Sequence, residues 1–144
     1  MKKQNETTSF GVIGLGRFGS ALVKTLAEAG KEVIAVDKSE QAVKAVRKYT
    51  DFAFVVDSLS QETLEETGIQ NCNTVTICIG EAIDMSVLTT MLVIKMGIPH
   101  VISKATSTEH GEVLKRLGAT VVYPESDMAV RIGKRLISGT LIDY

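Results

Sequence analysis

The chain has 144 residues, enough for one domain with a sizeable core. Hydrophobic residues make up 44% and charged ones 23%, which excludes a disordered chain, and with few aromatics and no tryptophan the core is expected to be aliphatic. A formal net charge of -1 gives no global pull toward nucleic acid or an anionic membrane, and no apolar stretch approaches the roughly 18 residues of a membrane span.

The opening "MKKQNETTS" is basic and then polar, with no apolar run behind it, so it does not read as a signal peptide. Residues 1–8 are expected to form a flexible arm and 9–144 one domain. "SFGVIG" then reads as a strand and Arg17 to Ala29 as a helix, with Leu22, Val23, Leu26 and Ala27 on its apolar face and Gly30 as its stop. "EVIAVD" (Glu32 to Asp37) is a strand with a continuous apolar centre, as expected when both faces are covered. Ser39 predicts the N-cap of a helix to about Lys48. The unit repeats: strand Phe52 to Asp57, helix Ser60 to Thr67, strand Thr74 to Gly80, helix Ile83 to Met96. Strand His100 to Lys104, helix Thr108 to Leu117 and strand Thr120 to Tyr123 follow. Pro124 is expected to break that strand, and Met128 to Ile137 to form the last helix.

Strands alternating with helices predict an α/β fold, a Rossmann-like doubly wound sheet of six parallel strands with helices on both faces. Gly14-Leu15-Gly16-Arg17-Phe18-Gly19 fits G-x-G-x-x-G in the context that gives the pattern meaning, after a strand and opening a helix. Gly14 permits the tight turn, Gly16 lets backbone approach a pyrophosphate, and Gly19 lets helix pack on strand. The helix N-terminus offers free N–H groups to the phosphate. Asp37, 18 residues after Gly19, is placed to accept both hydroxyls of an adenosine ribose and to repel a 2′-phosphate, with Lys38 blunting that repulsion.

Ligands of such sheets bind outside the carboxyl ends of the strands. Those ends carry Gly14, Asp37, Asp57 with Ser58, Gly80 with Glu81, Lys104, and Glu125 just past Pro124. Asp57 and Ser58 are expected at an adenine edge. Lys104 and Glu125 are expected on the far half, where a terminal phosphate or a cation has room. Arg17 opens a helix whose dipole disfavours a cation, a cost that a phosphate would offset, either in the same subunit or across an interface. His100 begins its strand on the edge away from the ligand, and His110 lies on a helix; both are expected to be structural or exposed. Cys72 and Cys78 form neither a C-x-x-C nor a metal pattern, so a cytoplasmic chain with free thiols is expected. No P-loop and no visible proton-transfer group accompany the glycine turn, so a nucleotide-binding module is expected rather than an enzyme. The helix Ile83 to Met96 is apolar nearly all round and predicts an oligomer, one face on the sheet and one on a second subunit. The tail "SGTLIDY" carries further apolar residues.

The stretches "FGVIGLGRFGSALVKTLAEAGKEVIAVDKS", "VVDS", "ICIGE", "VISKA" and "LGATVVYPESDMAVRI" resemble the N-terminal RCK (regulator of potassium conductance) domain of Ktr/Trk-type potassium-uptake regulators. The resemblance runs from about Ser9 to the C-terminus. It implies a cytoplasmic regulatory subunit, peripheral to the inner face of the membrane, whose dimers stack into an octameric ring under a membrane potassium transporter. It implies ATP, ADP, NAD or NADH in the cleft, with Gly14, Gly16, Arg17, Phe18, Gly19, Asp37, Lys38, Ser39, Asp57, Ser58, Ile79, Gly80, Glu81 and Lys104 around the nucleotide. By the same resemblance Arg17 is associated with the γ-phosphate across a subunit boundary, and Glu125 with the terminal phosphate and a divalent cation such as Mg²⁺. Two departures stand out: the family's second, C-terminal lobe is not among these residues, and Leu59 stands where many relatives have a threonine or an acidic residue. The alternative reading is the cofactor domain of an NAD-dependent oxidoreductase without its substrate domain. A redox sensor coupled to DNA is disfavoured by the near-neutral charge.

Overall fold

A computed structural model describes residues 9–139; the expected N-terminal arm and most of the apolar tail lie outside the described residues. The strands are β1 (Ser9–Ile13), β2 (Glu32–Asp37), β3 (Ala53–Val55), β4 (Thr74–Ile77), β5 (His100–Lys104) and β6 (Thr120–Val122). The helices are α1 (Arg17–Glu28), α2 (Glu40–Val46), α3 (Gln61–Glu66), α4 (Ile83–Lys95), α5 (Thr108–Leu117) and α6 (Pro124–Ser138), with a 3₁₀ turn at Ile69–Asn71. All pairings are parallel, in the order β3-β2-β1-β4-β5-β6. This is the doubly wound order, and its switch point falls between β1 and β4.

Alternation along the strands sends neighbours to opposite faces. Val12, Val33 and Ala35 join Val23, Val43 and Val46 of α1 and α2 in one cluster. Ile13, Val36, Val75 and Ile77 join Leu64, Ile69 and Val93 in the other. Valine, isoleucine and leucine dominate both, the aliphatic core the composition predicts.

The differences from expectation gather at the strand ends. β4 stops at Ile77 rather than Gly80 because its neighbour β1 turns away at Gly14; the last rung is the Cys78 N–H to the Ile13 carbonyl, 2.7 Å. β3 is an edge strand limited by its single partner to Ala53–Val55, rather than Phe52 to Asp57. Pro124 does not merely break β6: it opens α6, which starts four residues before the expected Met128. Proline suits the first helical position, where its missing N–H costs no bond, and Glu125 and Asp127 suit the positive end of the helix.

α4 carries the largest surprise. Its buried stripe is Ser86, Thr89, Thr90 and Val93, whereas Ile83, Leu88 and Met91 are exposed. Thr90 Oγ1 pairs with Ser103 Oγ of β5 at 3.0 Å. The buried Thr89 hydroxyl has no partner. Thr89→Val keeps the shape and removes that unpaired group, and should raise stability by about 1 kcal/mol. A thermal melt should then show the midpoint up by roughly 3–4 °C. Among the described residues, no helix is long and apolar enough to cross a membrane.

Candidate functional site

The carboxyl ends of β1, β2, β4 and β5 open into a cleft of about 1200 Å³. One wall is the glycine turn. Gly14 has a φ of +99°, and its N–H donates to the Val36 carbonyl at 2.9 Å. A Cβ there would press on the Cys78 backbone at 3.0 Å, so only glycine suits the turn. Gly19 lies against the Gly14 carbonyl so closely that a Cβ would overlap it. Gly16 is different. It is the N-cap of α1 with an ordinary φ of -71°, and a Cβ there would meet nothing within 4 Å. No side chain caps α1, so its first N–H groups face the cleft.

Asp37 closes this wall. Its Oδ2 accepts from the Leu15 N–H at 2.6 Å and its Oδ1 from the Ser39 N–H at 2.8 Å. Each carboxylate oxygen keeps a further lone pair for a ligand hydroxyl. Ser39 caps α2 by accepting from the Ala42 N–H, as its position predicts, and stands behind Asp37 rather than on the cleft.

The far wall comes from β5, α4 and α6. The Lys104 ammonium lies 5.6 Å from the centroid of the Phe18 ring and 3.1 Å from where a Gly80 Cβ would stand. This cation–π contact holds a positive charge across from the uncapped helix end. Arg17 is exposed at the mouth, in the first helical position of α1. Glu125 enters the lining from the first turn of α6, beside Met128 and Ile132.

Of the sequence-predicted residues, the cleft brings together Gly14, Gly16, Arg17, Phe18, Asp37, Lys38, Ile79, Gly80, Glu81, Lys104 and Glu125. Gly19 is buried beneath the turn. Asp57 lines a neighbouring depression with Thr63 and Glu66, and Ser58 joins a hydroxyl cluster with Ser60 and Thr63. Leu59 is the member of that turn that reaches the cleft. Sequence reasoning passed over Met85, Thr106, Met128 and Ile132, which also line it. Position points to Met85 and Thr106, eight and two residues past the ends of β4 and β5, whereas Met128 and Ile132 lie on α6, whose start at Pro124 the sequence does not announce.

Among the described residues, no three of His, Cys, Asp and Glu cluster as metal ligands would. Burial pushes the Cys78 thiol up to about 12 and the Cys72 thiol up to about 11, so both stay protonated and unreactive at neutral pH. His100 is exposed at the start of β5, away from the cleft. His110 is buried, its Nδ1 accepting from the Thr106 N–H at 3.1 Å, which puts the proton on Nε2. Burial lowers its pKa from 6.5. The folded chain therefore binds this proton less readily than the unfolded chain, and stability falls as pH drops below about 6.5. Thermal midpoints between pH 7.5 and pH 5.5 should fall more steeply for the parent than for His110→Asn.

A parallel sheet in this order, with a glycine turn at its switch point and an aspartate closing it from β2, defines a Rossmann-like nucleotide-fold domain. The TrkA-N domain family model matches residues 10–124, and the chain belongs to that family. It is 39% identical to the Ktr system potassium uptake protein C of Bacillus subtilis (strain 168), matching over 100% of this chain and 63% of that protein. With the Ktr system potassium uptake protein A of the same organism it shares 38% identity over 94% of this chain and 61% of that protein. The chain thus spans a little over three fifths of these relatives. Among solved structures, the TrkA-N domain of the inner membrane protein ybaL from Escherichia coli superposes with a TM-score of 0.79 at 16% identity, over 90% of this chain and 97% of that one. GsuK bound to ADP gives 0.73 at 22% identity, over 90% and 34% of the two chains. The GsuK channel bound to NAD gives 0.68 at 15%, over 84% and 22%. At these identities the structures speak for the fold.

Proposed function

We propose that this chain is the adenine-nucleotide sensor of a cytoplasmic regulatory subunit that controls a membrane potassium transporter. The observation that carries the nucleotide reading is Gly16. Neither backbone conformation nor packing requires glycine there, and the space a side chain would fill lies over the uncapped end of α1. A pyrophosphate is the group that makes use of both. Asp37 then takes the ribose, and Lys104 the phosphates from the other side. The potassium-uptake relatives support the transport role, and the ADP and NAD forms of GsuK support the ligand class on this fold.

The subunit acts as a sensor, not a catalyst. Nucleotides that favour one arrangement of a ring of subunits select it, and only a difference in contacts between arrangements can do so. Arg17 and Glu125, at the two sides of the mouth, are the residues placed to distinguish a third phosphate from two. Glu125 is the carboxylate that would help hold a cation there, with phosphate and water supplying the remaining oxygens. The exposed Ile83, Leu88 and Met91 on α4 give a homo-oligomer an apolar surface to cover.

Calorimetric titration with ATP, ADP, AMP, NAD and NADH, with and without Mg²⁺, tests this, with light scattering on the same samples. Selective binding that changes the assembly is the expected result. Binding confined to NAD(H), with no change in assembly and with turnover of NADH, overturns it in favour of an oxidoreductase cofactor domain. Arg17→Ala should keep the ADP affinity of the parent and lose most of any preference for ATP, read by the same titrations.

A further inference from the structure

Behind the far wall, one buried ring touches two of the elements that shape the cleft. His110 is 3% exposed and is the third helical residue of α5. Its backbone N–H donates to Oγ of the N-cap Ser107 at 3.1 Å, and its Nδ1 reaches back to accept from the Thr106 N–H. The serine half is that of a capping box, but the imidazole reaches one residue further back, to the Thr106 N–H rather than to that of the N-cap Ser107. A cap alone needs one acceptor and sits at the surface. His110 is buried and uses its second nitrogen as well: Nε2–H donates to Ser86 Oγ on α4 at 2.9 Å.

Both partners bear on the cleft. Thr106 lines it, and Ser86 follows Met85, which lines it from α4. The β5–α5 turn and the start of α4 have no other hydrogen bond between them among those seen in the described residues. A buried imidazole with both nitrogens paired costs little, whereas one with a nitrogen orphaned costs the full desolvation of that group. The two bonds therefore hold or fail together.

We propose that His110 is a positioning residue for the cleft: bound at both ring nitrogens, it ties the Ala105–Thr106 turn to the start of α4, so that the wall opposite the glycine turn keeps one shape. The inference rests on the nucleotide reading of the cleft for its purpose, but the tie itself is testable without a nucleotide.

Ser86→Ala removes the partner on α4 while leaving both groups of the Thr106 contact chemically unaltered. His110→Asn keeps an acceptor for the Thr106 N–H and gives up the reach to Ser86. Amide hydrogen exchange in the ligand-free chain, with Val75 and Ile77 as references for global opening, should show Thr106 exchanging about tenfold faster in each variant while the references change less. ADP affinity, read by calorimetry well below the melting range, should fall about five- to tenfold in each, and the double variant should be no worse than either single. Thr106 exchange that moves only in step with Val75 and Ile77 overturns the proposal, as does an unchanged ADP affinity beside a lowered melting midpoint; His110 is then a capping residue and nothing more. Should the parent chain bind no adenine nucleotide, the function proposed above falls, and the exchange ratio at Thr106 alone upholds or overturns the tie.

Discussion

Gly16→Ala is expected to weaken nucleotide binding by about 100-fold while leaving the fold nearly untouched. Backbone N–H bonds to a phosphate are charge-assisted, each contributing about 1.5–3 kcal/mol. A methyl at Gly16 holds the pyrophosphate away from the end of α1 and costs one or two of them, or about two powers of ten in affinity. The protein itself offers no objection, since the Cβ meets nothing within 4 Å and φ is ordinary. The only expected structural cost is that of alanine at an N-cap, about 0.5–1 kcal/mol. Calorimetry with ADP and a melt of the ligand-free chain separate the two effects. A variant that binds like the parent would remove the observation on which the function rests.

Gly19→Ala, three residues on, should do the opposite. The new Cβ overlaps the Gly14 carbonyl, backbone that cannot swing aside as a side chain can. Either α1 lifts from β1 or the turn at Gly14 breaks its bond to Val36. Overpacking of this kind costs about 3 kcal/mol or more, a large part of the 5–15 kcal/mol that holds a domain of this size. The midpoint of the ligand-free chain should fall by roughly 10 °C. The three glycines of one motif thus divide by cause. Gly14 answers to backbone conformation and Gly19 to packing, while Gly16 answers, on the function proposed above, to the ligand.

Much of this was legible because the signals were local. β2, β5 and α5 lie where their apolar patterns and caps put them, and Ser39 and Ser60 cap α2 and α3 through their own hydroxyls. Strand ends were less legible, since a strand stops where its neighbour stops. β4 ends with β1, and nothing in "TICIG" says so. α4 is hard to orient for a related reason. Its apolar residues run nearly all round and single out no buried face, and hydroxyls form the buried stripe because β5 and α5 meet them with Ser103 and His110. Such pairing depends on residues 13 and 24 positions away and leaves no periodic trace. In the cleft, the glycine turn and Asp37 were readable as a pattern. Met128 and Ile132 were not, because Pro124 reads as a stop and acts as a start.

The bonds made by Asp37 have a consequence for how a sensor of this kind can move. Backbone N–H groups of Leu15 and Ser39 hold its carboxylate, so the protein's own bonds fix the shape of the glycine turn. On the function proposed above, a nucleotide would spend little of its binding energy in forming that wall, and equally would gain no leverage by changing it. The cleft is a vice with one jaw bolted to the bench. On that same function, whatever differs between a longer and a shorter nucleotide is taken up beyond that jaw, by Arg17 at the mouth and by the start of α6 with Glu125.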